Sequence, residues 1–211
     1  MEITWLGHSC FRIKAREGVI LMDPPQKKAG FSIPKQTANL VTISHEHPGH
    51  GNRDVGGGPM VLDAPGEYEV AGMLVTGVQT YHDAKKGTEL GKNVAFTVEV
   101  EGIRVCHLGD IGHVPSADEV DDMGNIQVLL VPVGGSTTVD AAQAAEIVTL
   151  LEPRVIVPMH YNIDGHREDL AGVDRFLKEM GASGAQPQPK LSYSKSGLPS
   201  EPRVELLEPK R

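Results

Sequence analysis

The sequence predicts a layered α/β (α+β) domain with β-sheet inside and helices outside. Three features point there. Short segments rich in β-branched residues, bounded by Gly, Pro, Asn or Asp, fill the first two thirds of the chain. The nearly all-apolar run at residues 125–133 (NIQVLLVPV) suits a strand buried on both faces. Beyond it the apolar spacing becomes helical and helix alternates with strand. No repeat, low-complexity block or boundary interrupts the 211 residues, so a single domain over 1–211 is expected.

The first strands are expected at residues 2–6 (EITWL), 10–14 (CFRIK) and 18–23 (GVILMD), with AREGV as the turn between the last two. Further strands follow at 39–43 (NLVTI), 60–63 (MVLD), 72–82 (GMLVTGVQTYH), 93–100 (NVAFTVEV) and 104–110 (RVCHLGD), with VEGIR as a second hairpin turn. The stretch around Glu67, in APGEYEV, reads as a loop. In TTVDAAQAAEIVTLLEP, Ala141, Ala144, Ala145, Val148 and Leu151 fall on one helical face; Thr138 or Asp140 can cap its start and Pro153 marks its end. A strand at 154–160 (RVIVPMH) is followed by a second amphipathic helix, EDLAGVDRFLKEMG, stopped by Gly181. After the loop GASGAQPQPK, short strands are expected in KLSYS and RVELLE.

Aromatic residues make up 4% of the chain, so Val, Ile, Leu and Ala must supply the core. Acidic side chains outnumber basic ones 28 to 20, a formal net charge of −8. That gives no electrostatic footprint for nucleic acid or an anionic membrane, and counts against a nuclease. Cys10 and Cys106 both lie in apolar, strand-like runs and are expected to be buried free thiols. The N-terminus lacks the apolar core of a signal peptide and no run is long enough to span a bilayer, so a cytoplasmic location is expected.

The chemistry is concentrated in SHEHPGH, where a buried strand ends. Side chains two apart on an extended segment point the same way, so His45 and His47 can converge. Pro48 and Gly49 then let the chain turn and bring His50 back. Alone, this is either a metal site or a solvated histidine-rich loop. Other strand ends carry the same kinds of residue: His82 and Asp83, then His107, Asp110 and His113, then His160. Strand ends along one edge share one crevice, which favours a metal site built from several histidines and a carboxylate.

The ordered motifs ITWLGHSCFRI, LMDP, SHEHPGH, PGEYEVAG, HLGDIGHV, LLVPVGGSTTVDAAQA and VIVPMHY make the chain resemble a metallo-β-lactamase-fold hydrolase. More narrowly, it is similar to the small zinc-dependent hydrolases related to ascorbate-6-phosphate lactonase. The resemblance implies a four-layer αββα sandwich with metal ions at one edge, between the two sheets. It implies His45, His47 and His82 around one ion, His50 and His160 at a second, and Asp110 bridging them. Asp110 and His160 are also the expected catalytic residues, and Asp23 matches a carboxylate that orients ligand imidazoles.

One residue departs from the family pattern. The motif HxHxDH would place an aspartate at position 49, where this chain has Gly49. The first metal position is expected to be intact and the second weaker, more open or completed by another group. Glu67 is one such substitute, with Asp54 and Asp83 as weaker ones. His8 and His113 are expected to line the pocket, His107 to be a buried hydrogen-bonded residue, and His166 to lie on the surface. The glycines of PVGGSTT either approach a bound anion or merely turn the chain into the helix.

A divalent ion lowers the pKa of its bound water from 15.7 to about 7. Without an aspartate at position 49, a two-ion centre carries one more positive charge, which favours an anionic substrate. The expected protein is a metal-dependent hydrolase acting on a small, anionic ester, lactone or phosphodiester. It would use one or two divalent ions per chain, zinc first, with manganese or iron as alternatives. The competing reading is a metal-binding protein with a degenerate second site and no turnover. Oligomeric state is open.

Overall fold

The computed structural model describes residues 1–30, 32–163 and 169–210. Strands β1 (Glu2–Gly7), β2 (Cys10–Lys14), β3 (Val19–Met22), β4 (Leu40–Thr42) and β5 (Met60–Leu62) come first. Strands β6 (Gly66–Val70), β7 (Met73–Tyr81), β8 (Lys92–Val100), β9 (Ile103–His107), β10 (Val128–Pro132) and β11 (Val155–Met159) follow. Two short strands, β12 (Leu191–Ser192) and β13 (Arg203–Val204), lie near the C-terminus. They form a six-stranded sheet, β12-β1-β2-β3-β4-β5, and a seven-stranded sheet, β13-β11-β10-β9-β8-β7-β6.

Alternation along the strands explains why the two sheets face each other. Ile3, Trp5, Phe11, Ile13, Ile20 and Met22 point inward from the first sheet. They meet Val75, Phe96, Val98, Val105, Leu130 and Val157 from the second. Each such side chain removed from water contributes roughly 1.5–3 kcal/mol. The intervening residues Cys106, Leu129, Val131 and Ile156 face the other way, onto the helices α1 (Ala117–Met123), α2 (Ala141–Leu151) and α3 (Asp174–Glu179). That is why residues 125–133 read as apolar on both faces. The outer face of the six-stranded sheet carries Leu6, Cys10, Leu21, Val41 and Ile43. Irregular chain covers it, including Ala38, Ile33 and Val55. The sandwich order is present, with its fourth layer reduced to loop among the described residues. No helix is long and apolar enough to cross a membrane, among the described residues.

Local chemistry accounts for the element ends. Asp140 caps α2 by accepting from the Gln143 amide, and Gln143 returns the bond. Between β8 and β9, Glu101 and Gly102 have φ of 50° and 71°, as a tight hairpin turn requires. Three elements differ from the sequence expectation. Gly66–Val70 is not a loop but the edge strand of the second sheet, with Glu67 opposite Thr76. Helix α1 was not anticipated, although Ser116 and Glu119 form a full capping box before it. Helix α3 begins only at Asp174: Ala171 donates to the Gly134 carbonyl and accepts from the Asn162 amide, which draws this segment out of the helix. Gly172 offers little helical propensity to resist. Both cysteines are free and buried, as expected, and burial pushes the Cys106 thiol up to about 12.

Strand direction positions the site. β2 is antiparallel to both β1 and β3, and β4 is parallel to β3, so β1, β3 and β4 all finish at one end of their sheet. By the same logic β7, β9, β10 and β11 finish together in the other sheet. Two backbone hydrogen bonds join the sheets at this end, Val94 N–H to Ser44 O (2.9 Å) and His160 N–H to His8 O (3.2 Å).

Replacing Asp140 by alanine removes the cap of α2. It is expected to lower stability by about 1 kcal/mol in urea unfolding.

Candidate metal centre

Nine side chains of interest follow directly on strand ends or on the turns just after them. His8 follows β1, Asp23 follows β3, and Ser44, His45, His47 and His50 follow β4. His82 follows β7, Asp110 lies just past β9, and His160 follows β11. Three of them, His8, Asp23 and His160, have φ near 50°, a conformation that costs L-residues energy and is held here by its surroundings.

The centre is the carboxylate of Asp110. Its Oδ2 lies 3.2 Å from His50 Nε2, 3.2 Å from His160 Nε2, 3.5 Å from His82 Nε2 and 3.8 Å from His45 Nε2. Its Oδ1 is buried and makes no hydrogen bond. Around it, one group of mutually close donor atoms comprises His45, His47 and His82, and another comprises His8, His50 and His160; each group's donors lie within 4.8 Å of one another. His45 Nε2 is 3.0 Å from His47 Nδ1. Donor nitrogens held this near to each other, beside a buried and unsatisfied carboxylate oxygen, fit a divalent cation.

Hydrogen bonds fix which nitrogens face the centre. Ser44 Oγ donates to Asp23 Oδ2 at 2.5 Å, so its oxygen can only accept from His45 Nδ1 at 2.9 Å. The proton of His45 is thereby placed on Nδ1 and its Nε2 lone pair faces inward. His50 Nδ1 donates to Asp23 Oδ2 at 2.8 Å, and His82 Nδ1 to the Thr137 carbonyl at 2.9 Å. Asp23 also accepts from the Ser44 amide at 2.7 Å, so one carboxylate orients two imidazoles. Asp110 is held by its amide, which donates to Asn93 Oδ1 at 3.0 Å; Asn93 in turn donates to Thr80 Oγ1 and to the Leu108 carbonyl.

The electrostatics draw positive charge inward. Burial opposes a charge on His50, but Asp110 and Asp23, one beside each ring nitrogen, raise it to about 10. Burial, and then the charge of His50, lower His45 to about 3. Burial would raise both carboxyls, yet His107 and His50 bring Asp23 to about 2, and His160 and His50 bring Asp110 well below the usual range.

The remaining sequence-derived residues lie elsewhere. Glu67 is exposed on the edge strand and joins no donor group, among the described residues. Asp54 is exposed and also joins none. Asp83 spends both oxygens on the loop that follows it, accepting from the amides of Lys85, Gly87, Glu89 and Leu90. His107 is satisfied internally, donating to the Ser9 carbonyl and accepting from the Gly109 amide, as expected. His113 does not line the centre: it accepts from the Tyr81 amide and donates to the Val114 carbonyl. In PVGGSTT the Gly135 and Thr138 amides bond within the turn, which serves to seat His82 through Thr137. His166 lies outside the described residues. A cavity of about 520 Å³ lined by Pro24, Gln26, Lys27, Lys35 and Asn52 contains none of the donor groups. The sequence reading did not single out Ser44 or Asn93. Ser44 adjoins the histidine motif and was within reach, whereas nothing in NVAFTVEV marks its first residue.

The sequence profile of the beta-lactamase superfamily domain matches residues 2–160, a span that contains both donor groups and Asp110. The chain belongs to the beta-lactamase superfamily. A crystal structure from Thermotoga maritima, described as a candidate Zn-dependent hydrolase of the metallo-β-lactamase superfamily, is similar at 39% identity. Its TM-score is 0.82, over 98% of this chain and 97% of that one. A Pyrococcus furiosus protein is 32% identical over 85% of this chain and 90% of its own length. A protein of Thermococcus onnurineus named as a metal-dependent hydrolase is 28% identical over 77% of this chain and 85% of its own. The superfamily fold is therefore as the motifs implied, while the narrower link to ascorbate-6-phosphate lactonase gains no support from these relatives.

Close packing under the site leaves no room for some side chains. A Cβ on Gly134 would collide with the His160 carbonyl oxygen and approach Tyr161 Cα to 3.0 Å. Gly134→Ala is expected to cost about 1–3 kcal/mol in thermal or urea unfolding. Unchanged stability would show that the end of β11 can yield.

Proposed function

We propose that this protein is a metal-dependent hydrolase whose centre lies between the C-terminal strand ends of its two sheets. One observation carries the reading: four imidazole nitrogens within 3.2–3.8 Å of one oxygen of a buried carboxylate. The superfamily membership and the names of the relatives support it. In this reading His45, His47 and His82 hold one ion, His50 and His160 belong to a second position, and Asp110 lies between the two. Zinc suits so many imidazoles; manganese and iron are compatible with the same donors.

When bound, divalent ions supply Lewis acidity and lower the pKa of a coordinated water. The chain supplies orientation. Asp23 and Ser44 keep the His45 and His50 protons on Nδ1, and the Thr137 carbonyl does the same for His82. His47 is exposed and His8 half-buried, whereas His45, His50, His82, Asp110 and His160 are buried. Substrate therefore approaches from the side of His47 and His8. With a neutral imidazole-rich donor set around Asp110, the centre favours a small anionic ester, lactone or phosphodiester. The alternative of a binder with a decayed second position rests on Gly49, and among the described residues no further feature favours it. Two buried thiols suit a reducing compartment, which agrees with the cytoplasm.

The test combines metal analysis with turnover. The purified protein is expected to take up zinc or manganese and to cleave an anionic phosphodiester faster than a neutral ester of equal leaving group. A chelator should abolish that activity, and His47→Ala should reduce it by two orders of magnitude or more. Asp23→Asn should weaken metal affinity about 10–100-fold, the range seen when an orienting partner is lost. Absence of divalent-metal binding would overturn the proposal, and equal turnover of the two substrates would remove the anionic preference.

A further inference from the structure

Gly49 stands where the family motif has an aspartate, and the structure shows what lies in the direction that side chain would take. A Cβ built on Gly49 falls 3.2 Å from Cε1 of His8, 3.6 Å from Nδ1 and 3.7 Å from Nε2. The His8 imidazole thus fills the space in front of position 49. It comes from a different strand end, the turn between β1 and β2.

Three observations say that this ring is placed to donate. Its donor atom lies within 4.8 Å of those of His50 and His160. Its ring centre is 5.0 Å from that of His50 and 4.3 Å from that of His160, at interplanar angles of 74° and 70°. At these angles the rings meet edge to face instead of stacking. Its backbone is fixed as well: the His8 carbonyl accepts from Trp5 Nε1 at 2.9 Å and from the His160 amide at 3.2 Å. The second of these ties His8 directly to another member of the group. Asp110 Oδ2, 3.2 Å from both His50 Nε2 and His160 Nε2, supplies an oxygen on the inner side.

We propose that His8 is a ligand of the second metal position and replaces the aspartate that Gly49 lacks, giving a donor set of His8, His50, His160 and Asp110. Three nitrogens and one oxygen are a common tetrahedral environment for zinc. The exchange is also electrostatic. A neutral imidazole in place of a carboxylate leaves the centre one charge unit more positive, which deepens the preference for an anionic substrate. Positions 8 and 49 are sterically coupled: the smallest side chain at 49 already presses on the His8 ring. The inference rests on the metal-centre reading above.

Metal stoichiometry and affinity, measured by elemental analysis and calorimetry, test it apart from activity. Wild type is expected to bind two zinc ions, and His8→Ala about one, with at least a tenfold loss in affinity for the second. Asparagine tolerates the left-handed backbone at position 8 (φ 52°), so His8→Asn should behave alike and guards against a folding artefact, which a thermal melt monitors. Gly49→Asp alone should disturb the second position, whereas His8→Ala combined with Gly49→Asp should recover the second ion. A His8→Asn protein that keeps two ions at wild-type affinity would overturn the role of His8 while leaving the metal centre standing. A wild-type protein that binds no divalent ion would overturn the metal-centre reading itself.

Discussion

A buried carboxylate must be matched by positive charge or by hydrogen-bond donors, and in this fold that carboxylate is Asp110. Its side chain is 4% exposed, it stays ionised although burial favours its neutral form, and one oxygen has no donor. An uncompensated charge at such depth costs several kcal/mol. The surrounding side chains share one purpose in relation to it: His50, His82, His160 and His45 aim nitrogens at the same oxygen. Asp23 then holds His50 and, through Ser44, His45 by their outer nitrogens. Such an arrangement of donors fits a compact cation.

That convergence depends on backbone placement, and the strain is distributed accordingly. The site residues come from strand ends of both sheets, so each chain segment must turn at once after its strand. His8, Asp23 and His160 accept left-handed backbone to do so. Two glycines then allow the segments to interlock. A side chain on Gly109 would run into Asn93 and Ser44, and one on Gly134 into His160. The same Asn93 and Ser44 hold Asp110 and His45, so packing and orientation are one structure and not two. The cross-sheet bonds from His160 and Val94 close this edge and keep the sheets from sliding.

Much of this was legible in the sequence because the signals were local. β-Branched runs ending in His or Asp mark both the strands and the chemistry, and most strand positions agree to within a residue or two. What was not legible depended on partners far away. Gly66–Val70 reads as a loop because Gly, Glu and Tyr at a sheet edge follow no apolar alternation, and only pairing with β7 makes it a strand. Residues 169–173 were assigned to a helix because their apolar spacing fits one, but the Gly134 carbonyl competes for the Ala171 amide. Asp83 resembled a ligand until the amides of residues 85–90 took up its oxygens. Helix α1 is the opposite case, since its Ser116–Glu119 capping box is a purely local signal that the sequence carries in full.

His8 shows why pattern and geometry have to be read together. In sequence it is 41 positions from Gly49, and each departure looks minor: a glycine where a carboxylate is usual, a histidine in a tight turn. In space the two lie side by side, because β1 and β4 run the same way with two strands between them and deliver their ends to the same edge. An aspartate at 49 and an imidazole at 8 would compete for one volume, so an unchanged His8 with aspartate restored would require the ring to move. The lost side chain and the ring beside it are therefore complementary features of a single site. With His8 as the proposed donor, that site keeps a full set of donors while giving up one negative charge, a change in the field felt by the substrate that leaves the fold untouched.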